Sequence, residues 1–199
     1  MENRKEFFDR HAASWDRQRR YDDIEAQLGA VVAAFGLKEG GVVLDVGTGT
    51  GVLLPWIRQA IGAKGRLMAM DFSYRMLEEV SRSPSFESEG LVNGSVEWIP
   101  FPSARFDHVT CFSAFPHFPD KGKALSEMAR VLKHRGSLSI AHLKSAEEIL
   151  QFHRHAGGAV AHDRLPRLED LRKMMDHSGL EEISIINQPG KFLAKGRKR

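Results

Sequence analysis

The amino-acid sequence predicts an α/β fold, a doubly wound sheet of about seven strands, mostly parallel, with one antiparallel strand from a C-terminal hairpin. Two observations predict this fold. Short apolar runs rich in β-branched residues alternate along the chain with segments whose apolar residues recur at helical spacing. Near the C-terminus, two further apolar runs flank the turn sequence Asn187–Gly190, which is typical of a hairpin.

The first half of the chain predicts helices and strands in alternation. Asp22 is a plausible cap for the first helix and Gly36 closes it, while Gly62 stops the second helix and Ser73 caps the third. The predicted elements are a helix at 22–35, a strand at 42–46, a helix after the glycines at 47–51, a strand at 66–70, a helix after residue 73, a loop at 82–90 and a short strand at 91–93.

The second half continues the alternation. Ser145 and Glu148 have the spacing of a capping box, so we expect a helix to begin there. The other predicted elements are a strand at 106–112, a helix at 121–133, a strand at 137–142 after Gly136, a helix near 167–178, and hairpin strands at 182–186 and 192–194.

The most informative stretch joins the first strand to the helix that follows it. Gly47, Gly49 and Gly51 alternate there, with Asp45 two residues ahead of the first glycine. Alternating glycines permit a tight turn and let backbone amides approach a ligand closely. Asp71 ends the next strand, where a carboxylate can bind the two hydroxyl groups of a ribose. The pattern therefore predicts a nucleoside pocket at the carboxyl ends of parallel strands.

The same turn argues against a dinucleotide. A dinucleotide-binding turn carries a third glycine that lets the helix pack closely on the strand, and Val52 stands at that position. Asp45 beside the turn repels a pyrophosphate but suits a cation. Both observations disfavour an NAD-dependent oxidoreductase.

Length and composition set further bounds. At 199 residues, with 42% hydrophobic and 28% charged residues, residues 1–199 are expected to form a single domain of ordinary globular composition. The longest apolar runs fall far short of the roughly 20 residues of a membrane span. The N-terminal residues lack an apolar signal core, so we expect a cytoplasmic protein. The one cysteine, Cys111, excludes an internal disulfide and any zinc site built from several cysteines.

The charge pattern leaves two interpretations open. The net charge is +3, and the final nine residues carry five basic side chains. Such a segment could contact RNA phosphates. A solvated, fraying terminus is the commoner explanation and the one that we expect here.

The spacing Asp45-x-Gly47-x-Gly49-x-Gly51 resembles motif I of the class I S-adenosylmethionine (SAM) methyltransferases. In that family the glycine turn passes the methionyl part of the cofactor, and a second acid, matched here by Asp71, holds the ribose. The resemblance implies a Rossmann-like fold, SAM as the cofactor and methyl transfer as the reaction.

Further motifs resemble the methyltransferases of ubiquinone and menaquinone biosynthesis, the type 11 group. Residues 7–16 look like their leading segment, which forms a helix over the cofactor. The other segments that are similar to the group's motifs are 71–77 (D-x-S-x-x-M-L), 94–101 (G-D-A-x-x-L-P-F), 106–107 (F-D) and 130–136 (R-V-L-K-P-G-G). The resemblance covers roughly residues 7–142.

The resemblance also implies a set of cofactor-binding residues and no metal site. Those residues are Asp45, Gly47, Thr48, Gly49, Gly51, Asp71, Phe72, Met76, Ser95, Val96, Phe112 and Ser113. Ser95 stands where the family has an aspartate that accepts from the adenine amino group. An uncharged hydroxyl makes a bond about half as strong, so we expect adenine binding to depend more on the Val96 amide and on Phe72 and Met76. For Met76, a core role and an adenine contact remain equally open.

Two histidines are candidates for a general base. His117 follows the strand at 106–112 and His142 ends the next strand, so both should face the same crevice of an open α/β sheet. A neutral imidazole there can take a proton from an acceptor, although either residue could instead be a packing histidine. His153, His155 and His162 could bind a metal or a polar substrate, but helical spacing places His153 and His155 on different faces.

The sequence therefore predicts SAM-dependent methyl transfer to a small-molecule acceptor by in-line displacement. We expect residues 1–35 to form a helical lid and residues 143–170 to shape the acceptor pocket. A nucleic-acid methyltransferase and a non-catalytic SAM-binding protein are the alternatives. Enzymes that methylate base amines usually carry N-P-P-Y after the fourth strand, whereas this chain has Ser113–Pro116, so nucleic acid is the less favoured substrate. The acceptor atom and the oligomeric state remain open.

Overall fold

A computed structural model describes residues 4–15, 24–83 and 90–199. Among these residues, seven strands form one sheet. They are β1 (Val42–Val46), β2 (Arg66–Asp71), β3 (Leu91–Asn93), β4 (Phe106–Phe112), β5 (Leu132–His142), β6 (Leu180–Gln188) and β7 (Lys191–Lys198). Their order across the sheet is β3-β2-β1-β4-β5-β7-β6, in which β7 alone runs antiparallel to the other six strands. The predicted doubly wound sheet with one antiparallel strand is confirmed.

Helices cover both faces of the sheet. They are α1 (Arg4–Trp15), α2 (Glu25–Phe35), α3 (Leu54–Ile61), α4 (Tyr74–Arg82), α5 (Lys121–Val131), α6 (Ala146–Ala156) and α7 (Leu168–His177). One apolar core joins α2 and α3 to the sheet, and a second core joins α5 and α7 to the opposite face. Because helices pack on both faces, the central strands are buried, which explains their continuous apolar runs.

Sequence signals placed several helix ends correctly. Gly36 ends α2 in the left-handed conformation, with φ of 69°. The Ser73 side chain accepts a hydrogen bond from the Met76 amide at the start of α4, and Ser145 and Glu148 form the predicted capping box of α6. The predicted cap Asp22 and residues 84–89 of the predicted loop lie outside the described residues.

Strand β5 begins five residues earlier than the sequence predicts. Leu132 pairs with Phe106, and the register then shifts before Ser137 pairs with His108. This irregularity contains Arg135, whose φ of 60° is rare for a residue other than glycine. His134 and Arg135 are exposed at this irregularity and Lys133 is half-buried, so these polar residues look like a turn in the sequence, whereas Leu132 before them is buried.

The basic C-terminal segment does not fray, which corrects the expectation from its charge. It forms β7, which lies between β5 and β6 in the interior of the sheet. Lys195 Nζ donates to the Ala34 carbonyl oxygen at 2.8 Å, and the Arg199 guanidinium pairs with the Asp176 carboxylate. No helix in the described part of the chain has the length and apolar character that crossing a membrane requires.

Candidate active site

A cavity opens where the carboxyl ends of β1, β2 and β4 meet. Strand order reverses direction beside β1, and ligands bind open α/β sheets at such a switch point. All of the predicted cofactor-binding residues except Gly51 line this cavity. The lining set comprises Asp45, Gly47, Thr48, Gly49, Asp71, Phe72, Met76, Ser95, Val96, Phe112 and Ser113.

The turn after β1 requires its first two glycines for different reasons. Gly47 has φ of 70°, and a Cβ atom at that position would lie 2.4 Å from the Ala114 Cβ. Gly49 has φ of 56°, but a Cβ there would meet no atom within 4 Å. The amides of Gly47 and Thr48 both donate to the Met70 carbonyl oxygen, at 2.8 and 3.1 Å. The turn is therefore fixed to β2 while its Gly49 side stays open to a ligand.

Gly51, also a predicted cofactor-binding residue, packs between two helices. A Cβ atom there would lie 2.9 Å from Leu54 Cδ1 and 3.1 Å from Val80 Cγ2. Gly51 thus allows α3 and α4 to pack closely and lies outside the cavity lining. Its φ of 82° is positive, as it is at Gly47 and Gly49, so all three positions favour glycine and look alike in the sequence.

Asp71 ends β2 and braces the glycine turn. Its Oδ2 accepts from the Gly49 amide and its Oδ1 accepts from the Ser73 amide, each at 2.9 Å. Burial raises the pKa of Asp71 to about 6, although these two hydrogen bonds oppose the rise and the Asp45 charge adds to it. Since a carboxylate has about four acceptor positions, two remain for the hydroxyl groups of a ribose.

Asp45 is a second buried carboxylate beside the same turn. Its side chain is only 2% exposed, and its Oδ1 accepts from Thr110 Oγ1 at 2.7 Å. Burial raises its pKa, and the hydrogen bond from Thr110 limits that rise. Two neighbouring acids create a negative field around the turn, which favours a cationic ligand and disfavours a phosphate.

The remaining predicted cofactor residues form a mainly apolar wall with two notable backbone features. Ser95 caps the short 3-10 helix Val96–Trp98, and its Oγ accepts from the Glu97 amide at 3.2 Å. Ser113, just after β4, has φ of 54°, a strained conformation of the kind found at binding sites. Met76 both lines the cavity and packs in an apolar cluster with Phe8, so its core role is confirmed and its adenine contact stays a prediction.

Helix α1 covers one side of the cavity, with Arg4, Phe8 and Trp15 in the lining. The Phe8 ring contacts the Phe72 ring edge-on at 5.6 Å between centroids. The Ser73 hydroxyl, which caps α4, donates to Asp9 Oδ1 at 2.5 Å. This bond connects α1 to Ser73, whose backbone amide donates to Asp71.

The two candidate histidines lie in different places. His117 lines the cavity, and its Nδ1 lies 2.8 Å from Asp163 Oδ2. His142 is outside the cavity lining, where its ring packs against Phe192. Burial, and then the charges of His117 and His153, lower the pKa of His142 to about 3. Since His117 lines the cavity and His142 does not, the geometry favours His117 as the candidate base.

The other histidine group does not converge. His153 is buried, and its Nδ1 lies 2.6 Å from the Asp163 carbonyl oxygen. His155 is exposed and bonds to the Gln151 carbonyl oxygen, and His162 is exposed as well. Among the described residues, no three His, Cys, Asp or Glu side chains are arranged to hold a metal ion.

Asp163 and Arg4 are site residues that the sequence analysis missed. Asp163 is 3% exposed, and its carboxylate binds both His117 and Arg4, with Arg4 Nη2 at 2.5 Å from Oδ1. Arg4 and Asp163 are 159 residues apart in the chain. No local spacing could indicate such a pair.

Comparison with known proteins places this site in a family. A family model described as a methyltransferase domain matches residues 44–140. The ubiquinone/menaquinone biosynthesis C-methyltransferase UbiE of Vibrio vulnificus strain YJ016 is 30% identical over 188 residues, which cover 81% of this chain and 72% of that protein. The chain belongs to the UbiE-like group of class I SAM-dependent methyltransferases.

Other relatives of this methyltransferase chain match over shorter regions. The demethylmenaquinone methyltransferase of Staphylococcus epidermidis strain RP62A is 36% identical over 107 residues, 53% of this chain and 44% of that protein. The chain thus spans less than half the length of that relative.

Solved structures of SAM-dependent methyltransferases have the same fold. The enzyme from Aquifex aeolicus superposes with a TM-score of 0.70 at 24% identity, covering 94% of this chain and 96% of its own. The one from Thermotoga maritima superposes with a TM-score of 0.76 at 18% identity, covering 96% and 98%.

Proposed function

We propose that this methyltransferase transfers the methyl group of SAM to a small-molecule acceptor by in-line displacement. The observation that carries the proposal is the convergence of two buried carboxylates, Asp45 and Asp71, on an open glycine turn. SAM combines a ribose with cationic sulfonium and amino groups, and the residues present fit each of these parts.

The cofactor would be held by three groups of residues. Asp71 would bind the ribose hydroxyls, and Gly49, with open space at its Cα, would let the methionyl part pass close to the backbone. Asp45 would face the positive charge. The adenine would lie against Met76 and Val96, with the Ser95 hydroxyl at its edge.

SAM supplies a methyl group that is already activated by a sulfonium centre. The main task of the protein is therefore to align the acceptor, and positioning of this kind contributes about 7–11 kcal/mol toward the barrier. Helix α1 would close over the site as a lid and exclude water. Residues 143–170 would form the acceptor wall, since Asp163 in that segment already contacts His117.

An apolar, ring-containing small molecule fits the acceptor side best. Phe8, Trp15, Phe118 and Pro119 line the cavity there together with His117. The names of the curated relatives refer to quinone biosynthesis, which is consistent with an aromatic acceptor. A cytoplasmic location stays a prediction.

The alternatives have weaker support. The basic C-terminal segment was the observation that suggested nucleic-acid methylation. Residues 191–198 of that segment form β7, where Lys195 bonds to α2, and the following Arg199 pairs with Asp176. A non-catalytic protein would bind SAM but transfer no methyl group, so an activity assay distinguishes it from a methyltransferase.

Calorimetry followed by an activity assay tests the proposal. We expect SAM and S-adenosylhomocysteine to bind and NAD to give no heat. SAM labelled in its methyl group should then transfer the label to 1,4-dihydroxynaphthalene, a small aromatic probe for the quinone-type acceptor. NAD binding in the absence of SAM binding would overturn the proposal, and SAM binding with no transfer to a panel of phenols, amines and thiols would favour the non-catalytic alternative.

Ser95→Asp is expected to preserve or strengthen SAM binding. Aspartate is as good a cap as serine for the 3-10 helix, and it restores a charged acceptor at the adenine edge. Calorimetry should give an affinity equal to or higher than that of the unchanged protein. Ser95→Ala is the control and should bind more weakly; unchanged affinity in both variants would remove Ser95 from the adenine site.

A further inference from the structure

We propose that Asp163 is a positioning residue that holds His117 as the proton acceptor for the methyl-accepting atom, and that Arg4 connects this pair to the lid helix α1. This inference rests on the proposed methyl transfer, because it assigns the base of that reaction. It also defines the acceptor class: an atom that carries a proton and must lose it.

The geometry brings three chain segments together at one carboxylate. Asp163 Oδ2 lies 2.8 Å from His117 Nδ1, and Asp163 Oδ1 lies 2.5 Å from Arg4 Nη2, with Arg4 Nε 3.3 Å from Oδ2. His117 comes from the loop after β4, Arg4 from α1, and Asp163 from the loop between α6 and α7. The carboxylate is 3% exposed, so water competes little for these bonds.

The contact with Asp163 sets which nitrogen of His117 carries the proton. Hydrogen bonds from His117 and Arg4 overcome the effect of burial and lower the pKa of Asp163 to about 2, so the group is a carboxylate that only accepts. His117 must therefore donate from Nδ1, which leaves a lone pair on Nε2. Within the described part of the chain no hydrogen-bond partner meets that Nε2, and the ring lines the cavity.

Burial and the neighbouring charges together favour the neutral form of the His117 imidazole. Burial lowers its pKa most, and the charges of His153 and Arg4 lower it further, while Asp163 opposes them. His153 lies 4.7 Å away between ring centroids. Lys121, His142 and Arg164 are further titratable groups that the structure describes in this neighbourhood, and burial lowers the pKa of Lys121 and of His142. A neutral imidazole with a charged orienting partner is the arrangement of an efficient general base.

The proton balance follows from this arrangement. As the acceptor atom forms its bond to the methyl carbon, the carbon–sulfur bond breaks and its electron pair stays on sulfur. The proton of the acceptor atom passes to His117 Nε2, and Asp163 stabilises the imidazolium until it releases the proton to water. A hydroxyl group needs such a base for its own proton, and a ring carbon of a phenol-type compound needs it to remove the proton that the carbon still carries after it has bonded to the methyl group. Tertiary amines and thioethers have no proton to lose.

Nitrogen NMR of the full chain tests the tautomer without any acceptor. Long-range proton–nitrogen correlation of protein labelled with ¹⁵N-histidine should give His117 an unprotonated Nε2 and a protonated Nδ1 near neutral pH. Loss of those signals in His117→Gln assigns them among the nine histidines of the chain. A protonated Nε2 in the unchanged protein would overturn the inference, whatever the outcome of the SAM-binding experiment.

Kinetics with 1,4-dihydroxynaphthalene and labelled SAM test the role of Asp163. We expect Asp163→Asn to lower kcat about 100-fold, the lower end of the contribution of a general base, and to leave SAM affinity within a few-fold. Asp163→Glu should recover part of the loss. Asp176→Asn is the matched control, since Asp176 also pairs with an arginine, Arg199, but is exposed and far from the cavity lining.

Arg4→Gln should change the pH dependence of kcat, which the loss of a purely structural contact would leave unchanged. The charge of Arg4 lowers the pKa of His117, so removing it should raise that pKa and move the acid limb of the kcat–pH profile to higher pH. Arg4 is partly exposed on α1, so this variant should fold even if Asp163→Asn does not. An unmoved acid limb, or full kcat in Asp163→Asn, would overturn the inference while leaving SAM-dependent transfer intact.

Discussion

Gly47→Ala is expected to lower the free energy of unfolding by about 2–5 kcal/mol. A left-handed conformation costs an L-residue about 1–2 kcal/mol, and forcing a methyl group into a packed site costs about 1–3 kcal/mol more. The new Cβ would lie 2.4 Å from the Ala114 Cβ, and a methyl group bonded to the backbone cannot rotate away. Urea denaturation followed by circular dichroism measures the loss.

Gly49→Ala is the matched control in the same turn. Its φ is also positive, but a Cβ there meets no atom within 4 Å, so only the conformational cost of about 1–2 kcal/mol remains. This variant should instead lose SAM affinity, because the methyl group enters the space of the ligand. Equal losses of stability in the two variants would contradict the different roles of the two glycines.

Asp71→Asn is expected to weaken SAM binding at least 10-fold. A hydrogen bond to a charged group contributes about 1.5–3 kcal/mol, or roughly 10- to 150-fold in affinity per bond. Asparagine has one acceptor oxygen, whereas both oxygens of Asp71 already accept backbone amides. The variant therefore loosens the glycine turn as well as the ribose contact. Isothermal titration with SAM at pH 8, where Asp71 is ionised, measures the effect.

The pH dependence of SAM binding gives a second readout for Asp71. Its pKa is raised to about 6, so the ionised form that binds ribose is lost as the pH falls through 6. SAM affinity of the unchanged protein should decrease over that range, and the decrease should be smaller in Asp71→Asn. Asp107→Asn is the control, since Asp107 also accepts a backbone amide, that of Val42, but lies near the opposite end of β4. Equal affinity in Asp71→Asn and the control would remove Asp71 from the cofactor site.

The same elevated pKa sets the sign of a stability effect. Because the folded protein holds a proton on Asp71 that the unfolded chain has released above pH 4, this group stabilises the fold at low pH, and the contribution is lost as the pH rises through 6. At neutral pH the folded protein therefore holds a buried charge on Asp71, at a cost in stability.

Local spacing predicted the sheet and the cofactor side of the site well. Asp45, the first two glycines and Asp71 lie at the ends of adjacent parallel strands, so their neighbourhood follows from the strand order. Spacing alone could not separate Gly51, which packs two helices, from Gly49, which faces the cavity, because both have a positive φ.

The acceptor side depended on tertiary contacts that the sequence does not encode locally. His117 follows β4 and His142 ends the neighbouring β5, so both were candidates, yet of these two only His117 lines the cavity. The pairing of Arg4 with Asp163 joins two residues that are 159 positions apart and has no spacing signal. The early start of β5 at Leu132 was hidden because polar residues interrupt the strand at its irregularity.

The interior position of β7 has a consequence for how the protein reaches its native state. All other strands precede β7 in the chain, yet it fills the gap between β5 and β6. Until residues 191–198 leave the ribosome, β5 has an unpaired edge and β6 has no sheet to join. Non-local pairing of this kind slows folding, and open edges of apolar strands invite association between chains. Residues 191–198, which follow all the other strands in the chain, therefore complete the sheet, and chains interrupted before them would be prone to aggregate.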